Sequence, residues 1–161
     1  MKFNMKGLGK GGAAIFVVFF FLMCGGRPAA AIKMVSISGN NVNMRSGPGT
    51  QYKVIWELGN GFPLIILKES GDWYRVRDFE GTIGWVHKDV TGRTPHMIVK
   101  MHKNSNKRIN VRSGPGTKYR IVAKAYYGVV FKTLQQKNGW VNVRHADGVT
   151  GWVKRSLLWG W

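Results

Sequence analysis

An eight-residue string occurs twice in this chain, first as Asn43-Met44-Arg45-Ser46-Gly47-Pro48-Gly49-Thr50 and again as Asn110-Val111-Arg112-Ser113-Gly114-Pro115-Gly116-Thr117. The offset of 67 residues then holds without a gap: Tyr52 matches Tyr119, Gly61 matches Gly128, Leu67 matches Leu134 and Trp73 matches Trp140. Val76-Arg77 matches Val143-Arg144, and Gly84-Trp85-Val86 closes the unit against Gly151-Trp152-Val153. Self-similarity at a fixed period marks each copy as one structural unit. Each unit has roughly 65 residues, near the lower limit for a domain that folds alone.

Inside each copy the apolar residues alternate. Val42 and Met44 are interleaved with Asn41, Asn43 and Arg45, and Tyr74 and Val76 with Trp73, Arg75 and Arg77. The second copy repeats this with Ile109 and Val111, and with Val141 and Val143. A period of two, bounded by Gly, Pro, Asn and Asp, predicts half-buried strands joined by turns. No segment sustains a helical period. Five or six short strands in so few residues suit a small, partly open barrel. Ser46-Gly47-Pro48-Gly49 is expected to be a tight turn, since proline fixes φ and glycine tolerates positive φ. Gly84 and Gly151, inside strands, point to a bulge or a close backbone approach.

The residues carry a family resemblance. Asn-x-Arg-Ser-Gly-Pro-Gly-Thr-x-Tyr, then Gly71-Asp72-Trp73-Tyr74-Arg75-Val76-Arg77-Asp78, then Gly84-Trp85-Val86-His87-Lys88-Asp89, resembles the bacterial SH3-like (SH3b) family as found in exported proteins. The resemblance implies an all-β protein of two tandem SH3-like barrels with a non-catalytic role in the cell envelope. The second copy departs from the pattern: Ala123 stands for Trp56 and Asn142 for Arg75.

Lys2, Lys6 and Lys10 precede an apolar run from Ala13 to Met23, which is followed by Ala29-Ala30-Ala31. This is the pattern of a secretory signal peptide over residues 1–31, with cleavage expected after Ala31. The alternative is a retained anchor, although the run is short of the ~20 residues that span a bilayer. Lipidation at Cys24 is disfavoured because Phe21-Leu22-Met23 lacks the small residue such signals need. The expected domains are 32–94 and 95–161, meeting near the turn-forming cluster Thr91-Gly92-Arg93-Thr94-Pro95 and closely coupled. The chain then belongs in the periplasm or outside the cell, and the mature part has no cysteine and no disulfide.

Charge is uneven. The whole chain carries 25 basic and 7 acidic side chains. Residues 32–94 hold eight basic and six acidic groups, whereas 95–161 hold thirteen basic and one acidic. Both copies build the same scaffold, so the scaffold does not demand the difference. The second domain is therefore expected to aid attachment to an anionic envelope surface, an attraction that salt would screen.

Candidate ligand-binding residues follow from the aromatic and arginine content of recognition surfaces. They are Tyr52, Trp56, Trp73, Arg75 and Arg77 in the first copy, and Tyr119, Tyr126, Tyr127, Trp140 and Arg144 in the second. Tyr126-Tyr127 replaces Gly59-Asn60, which makes it a variable loop and a specificity candidate. Arg77 and Arg144 share a strand face with Trp73 and Trp140, where a stacked or ion-paired arginine (with Glu80 or Asp147) is the plain structural alternative. Trp85 and Trp152 are expected in the core.

No catalytic constellation emerges. The mature part lacks a nucleophilic cysteine, no carboxylate pair stands out, and His87, His96, His102 and His145 are scattered. No metal and no cofactor are expected, and once both repeats are subtracted no catalytic domain remains. Two partners stay open: cell-wall peptide or glycan, gripped through the avidity of tandem domains, or the extended peptide of an envelope or secreted protein. Export argues against a nucleic-acid partner despite the charge.

Overall fold

A computed structural model describes residues 32–161. The expected signal segment and its cleavage site lie outside the described residues.

Fourteen strands and two short 3-10 turns make up the described chain, with no α-helix among those residues. The first seven strands are β1 (Met34–Ile37), β2 (Val42–Arg45), β3 (Val54–Leu58), β4 (Pro63–Ser70), β5 (Trp73–Arg77), β6 (Ile83–His87) and β7 (Thr91–Gly92). They form one antiparallel sheet in the order β3-β2-β6-β5-β4-β1-β7. The second seven are β8 (His96–Val99), β9 (Ile109–Arg112), β10 (Ile121–Ala125), β11 (Val130–Lys137), β12 (Trp140–Arg144), β13 (Thr150–Lys154) and β14 (Leu158–Gly160). Their order, β10-β9-β13-β12-β11-β8-β14, is the same topology repeated. The protein is two tandem SH3-like barrels.

Alternation decides what faces inward. In β5 only Val76 is buried, and in β6 it is Gly84 and Val86. The first core is built from Val35, Ile37, Val42, Met44, Leu58, Leu64, Val76 and Val86. The second is built from Met97, Val99, Ile109, Val111, Ala125, Phe131, Val141, Val143, Val153 and Leu158. Register shifts at Leu67 in β4 and at Leu134 in β11 put bulges at matching places, where the local twist rises and the sheet curls.

Trp85 and Trp152 correct the expectation that they belong to the core. Period two places them on the face opposite Val86 and Val153, where they are half-buried. Gly84 explains why a glycine precedes them. A Cβ there would lie 2.6 Å from Met44 Cγ and 3.0 Å from the Arg45 carbonyl oxygen. The backbone of β6 thus runs close against β2, its neighbour in the sheet. Gly151 stands in the same relation to Val111 and Arg112.

The repeat breaks once. From β2 to β6 every strand recurs 67 residues later, but β1 and β8 are 62 apart. The connection between β8 and β9, residues 100–108, is therefore five residues longer than Ser38–Asn41 in the first barrel. It turns with positive φ at His102 and Asn104.

Candidate functional site

The repeated motif builds scaffold. Arg45 Nη1 donates to the carbonyls of Thr50 and Tyr52, both at 2.8 Å, and Arg112 Nη1 does the same for Thr117 and Tyr119. The tyrosine ring folds back over the turn: a Cβ on Gly47 would lie 2.4 Å from the Tyr52 ring, and one on Gly114 equally close to Tyr119. Tyr52 and Tyr119 remain about two-fifths exposed, at 42% and 38%, with Lys118 over the Tyr119 ring at 5.6 Å.

Each barrel carries a groove beside β3 or β10. In the first it encloses about 200 Å³ between Trp56, Glu57, Leu58, Phe62, Asp78 and Glu80. In the second it encloses about 130 Å³, and Ala123, Lys124, Ala125, Val129, His145 and Asp147 take the same places. One scaffold thus carries an aromatic, acidic groove and an apolar groove whose polar lining mixes Lys124, His145 and Asp147. Tyr126 stands beside the second groove, about half exposed, with Arg108 5.3 Å from its ring centre. The carboxylates of the two copies are also used differently. Asp78 is buried and accepts the backbone N–H groups of Glu80 and Thr82. Asp147 is held below its usual carboxylate range, first by the Val149 N–H and then by His145 Nδ1 at 2.9 Å.

The barrels meet through Phe79. Its ring lies against Phe62 at 5.9 Å, Tyr127 at 5.3 Å and Trp159 at 6.4 Å. Beside it Glu80 accepts the Tyr127 hydroxyl and pairs with Lys103 at 2.9 Å. Lys103 arrives on the longer 100–108 connection. The hydrogen bond from Tyr127 and, next, Lys103 hold Glu80 below its ordinary pKa, while burial and the facing carboxylate push the Tyr127 phenol well above its own. Trp161 reaches the first barrel too, lining a cleft with Met34, Ile66, Tyr74 and Arg93.

The ten residues singled out by sequence do not form one site. Tyr52 and Tyr119 cover their turns. Trp56 is 53% exposed on the wall of the first groove. Trp73 packs edge-on to His87 at 5.2 Å. An arginine stacked on Trp73 or Trp140 is not found among the described residues; Arg77 is four residues along from Trp73, more than 12 Å at about 3.3 Å per residue. Nor does Arg77 pair with Glu80, which Tyr127 and Lys103 have already claimed. Arg75 lies opposite Trp85 and is exposed. Tyr126 and Tyr127 diverge, one to a groove and one to the seam. Trp140 lines a cleft with His102, Arg108 and Lys154. Arg144 lines a separate cleft with Asn60, His96 and Lys132.

Sequence reasoning did not single out Phe79, and took Lys103 and Lys132 only as part of the second domain's general basic charge and His96 as one of four scattered histidines. The signal was present in the differences between copies: Phe79 against Ala146, Lys132 against Ile65, and five extra residues ahead of the second motif.

These features define a class before any relative is considered: tandem small β-barrels that present grooves, with no group of three or more His, Cys, Asp or Glu side chains poised to hold a metal among the described residues. The chain belongs to the bacterial SH3 domain family, whose model matches residues 38–91 and 105–160. It is 30% identical over 128 residues to YrvJ of Bacillus subtilis (strain 168), which carries the name of an N-acetylmuramoyl-L-alanine amidase. That match takes in 76% of this chain but only 24% of YrvJ, so the chain spans about a quarter of its relative. Among solved structures it is similar to NlpC2 of Trichomonas vaginalis, at 14% identity and a TM-score of 0.36 over 82% of this chain and 49% of that one. It is also similar to an NlpC/P60 family protein of Bacillus cereus ATCC 10987, at 12% identity and a TM-score of 0.38 over 80% and 56%.

Proposed function

We propose that the protein is a non-catalytic binding module of the cell envelope that holds cell-wall peptide or glycan in the groove of its second barrel. The observation that carries this reading is the contrast between the two grooves. Phe79 and Glu80 of the first barrel are already engaged by Tyr127 and Lys103. The matching groove of the second barrel has apolar walls at Val111, Ala123 and Val149, with polar groups at Asp147 and Lys124. Apolar walls with a few placed polar groups are the usual form of a ligand site. A relative named as an N-acetylmuramoyl-L-alanine amidase supports the choice of ligand. The thirteen basic groups of residues 95–161 then strengthen attachment to an anionic envelope surface.

Co-sedimentation with purified sacculi tests the reading. The protein is expected to pellet with sacculi, less so as salt rises, and Val149→Arg, which fills the groove, is expected to stay in the supernatant. Equal pelleting of Val149→Arg and the parent would overturn it.

A second reading has its own observation. β3 is an edge of the first sheet, with Val54 40% and Trp56 53% exposed, a place where an extended peptide of a partner protein could add a strand. Periplasmic extract passed over the protein and over a Val54→Pro variant, which keeps the side chain apolar but disrupts the strand's pairing geometry, would separate the two: loss of one captured protein favours the adaptor.

A further inference from the structure

The second barrel contains a row of basic side chains, a histidine, a lysine and an arginine on three neighbouring strands, that its twin lacks. In the sheet register His96 of β8 lies opposite Lys132 of β11, and Lys132 lies opposite Arg144 of β12. The corresponding register in the first barrel reads Met34, Ile65, Arg77. The same backbone is therefore satisfied by apolar residues at two of the three places, and the row is not a requirement of the fold. Like charges facing each other across strands destabilise a sheet, so the Lys132–Arg144 pair stands at a cost.

No carboxylate offsets it. Among the described residues neither Lys132 nor Arg144 has an acidic group within ion-pair distance, and Asp147, the lone acid of residues 95–161, is turned to His145 and the Val149 N–H. His96, Lys132 and Arg144 instead line a cleft of about 240 Å³ to which the first barrel contributes Asn60. The Asn60 carbonyl oxygen accepts the Gly39 N–H at 3.3 Å, which leaves its amide NH₂ free to donate. His96 is fixed from behind by the Thr94 carbonyl at 2.9 Å from Nδ1, and from below by Gly61, where a Cβ would come within 2.7 Å of the ring. Every polar side chain lining this space, the two histidines included, carries at least one N–H group.

We infer that this cleft between the barrels binds a phosphoryl group, taken from a phosphomonoester or phosphodiester. Lys132 and Arg144 supply donors from two neighbouring strands and Asn60 from the facing barrel. His96, whose Nδ1–H is given to the Thr94 carbonyl, adds Nε2 once it is protonated. A phosphoryl group offers enough oxygens to meet several donors at once where a carboxylate offers two. Arg144 supplies a planar fork, Lys132 a compact charge. With about 30 Å³ per water molecule in the liquid, the cleft has room for the anion and part of its hydration. The inference rests on the reading that the second barrel meets an anionic envelope surface, and names the group it meets there.

The test is a titration of the purified protein with inorganic phosphate at constant ionic strength, followed by NMR. Saturable shifts are expected at Asn60, His96, Lys132 and Arg144. The double variant His96→Met/Lys132→Ile puts the first barrel's own residues into the second and is expected to lose about tenfold or more in affinity, given the strength of charged hydrogen bonds. Lys132→Gln alone, expected to weaken binding in the same direction, serves if the double variant does not fold. Glycerol phosphate in solution and phosphatidylglycerol vesicles, set against phosphatidylcholine vesicles, separate a soluble source of the group from a headgroup. Unsaturable shifts spread over the surface lysines, or variants that bind as well as the parent, would overturn the site. No wall material is present, so this result is independent of the sacculus experiment, and a failure there would sink the wall reading alone.

Discussion

Tyr127 of the second barrel donates its hydroxyl to Glu80 of the first, and its ring rests on Phe79 with 5.3 Å between centres. This pairing, with Lys103 on the same carboxylate, connects two repeats that each have a complete core of their own. Tyr126 and Tyr127, adjacent in sequence, serve different ends because they open the turn that follows β10, closed by the Val129 N–H on the Tyr126 carbonyl at 3.3 Å, where the chain changes direction.

Removing only the hydroxyl should have a small effect. Tyr127→Phe is expected to lower the stability of the pair by about 0.5–1.5 kcal/mol, the net value of one hydrogen bond. Tyr127→Ala should cost about 2 kcal/mol, roughly half of what a fully buried ring loses. Denaturant unfolding of both variants checks the order.

Glu80 makes the seam sensitive to acid. Its folded pKa is depressed below the ordinary 4.5 by Tyr127 and then Lys103, so its contribution is fully present above that value and disappears as pH falls through the lower, folded one. Stability followed downward from neutral pH should decline in that acidic window, and Glu80→Gln should flatten this part of the curve.

His96 shifts the other way. Burial, with Lys132 adding to it, lowers its folded pKa below the ordinary 6.5 against the opposing pull of the Thr94 carbonyl. The unfolded chain therefore takes up a proton first as pH drops through 6.5, and the stabilisation from neutral His96 is lost between that pH and the folded value. An NMR titration should find His96 below 6.5 and moved upward by Lys132→Ile, which removes a neighbouring positive charge.

Gly84→Ala and Gly151→Ala should each destabilise their own barrel by about 1–3 kcal/mol, the cost of forcing a methyl group into a filled space. The clashing atoms include the Arg45 and Arg112 carbonyls, which cannot rotate away as a side chain would. Thermal melts of the two variants measure it.

Arg45→Ala and Arg112→Ala each remove two hydrogen bonds to backbone carbonyls. About 1–2 kcal/mol is expected from each at these partly exposed sites. The two turns share no partner, so the double variant should show the sum of the single effects; chemical denaturation of all three proteins decides this.

Much of the fold was legible because period two and a fixed repeat are local signals. Val76 and Val86 face inward as the alternation requires, and the motif arginines recur with their turns. Trp85 was misplaced by treating indole burial as a property of the residue, when strand parity had already assigned that face to Gly84 and Val86. The seam was beyond such reasoning. Phe79 finds Tyr127 through the packing of one barrel on the other, a contact 48 positions apart along the chain that no periodicity encodes. The basic row was hidden for a related reason: His96, Lys132 and Arg144 become neighbours only through strand register. Its trace in sequence was the departure of Lys132 from Ile65.

The exchange of Phe79 for Ala146 gives the tandem a direction. A follower attached behind the second barrel would bring its own tyrosine to a methyl group, with no ring to rest on, and would dangle from its tether. Lengthening this series by simple duplication would therefore yield a docked pair trailing a loose bead, unless Ala146 were first changed to Phe.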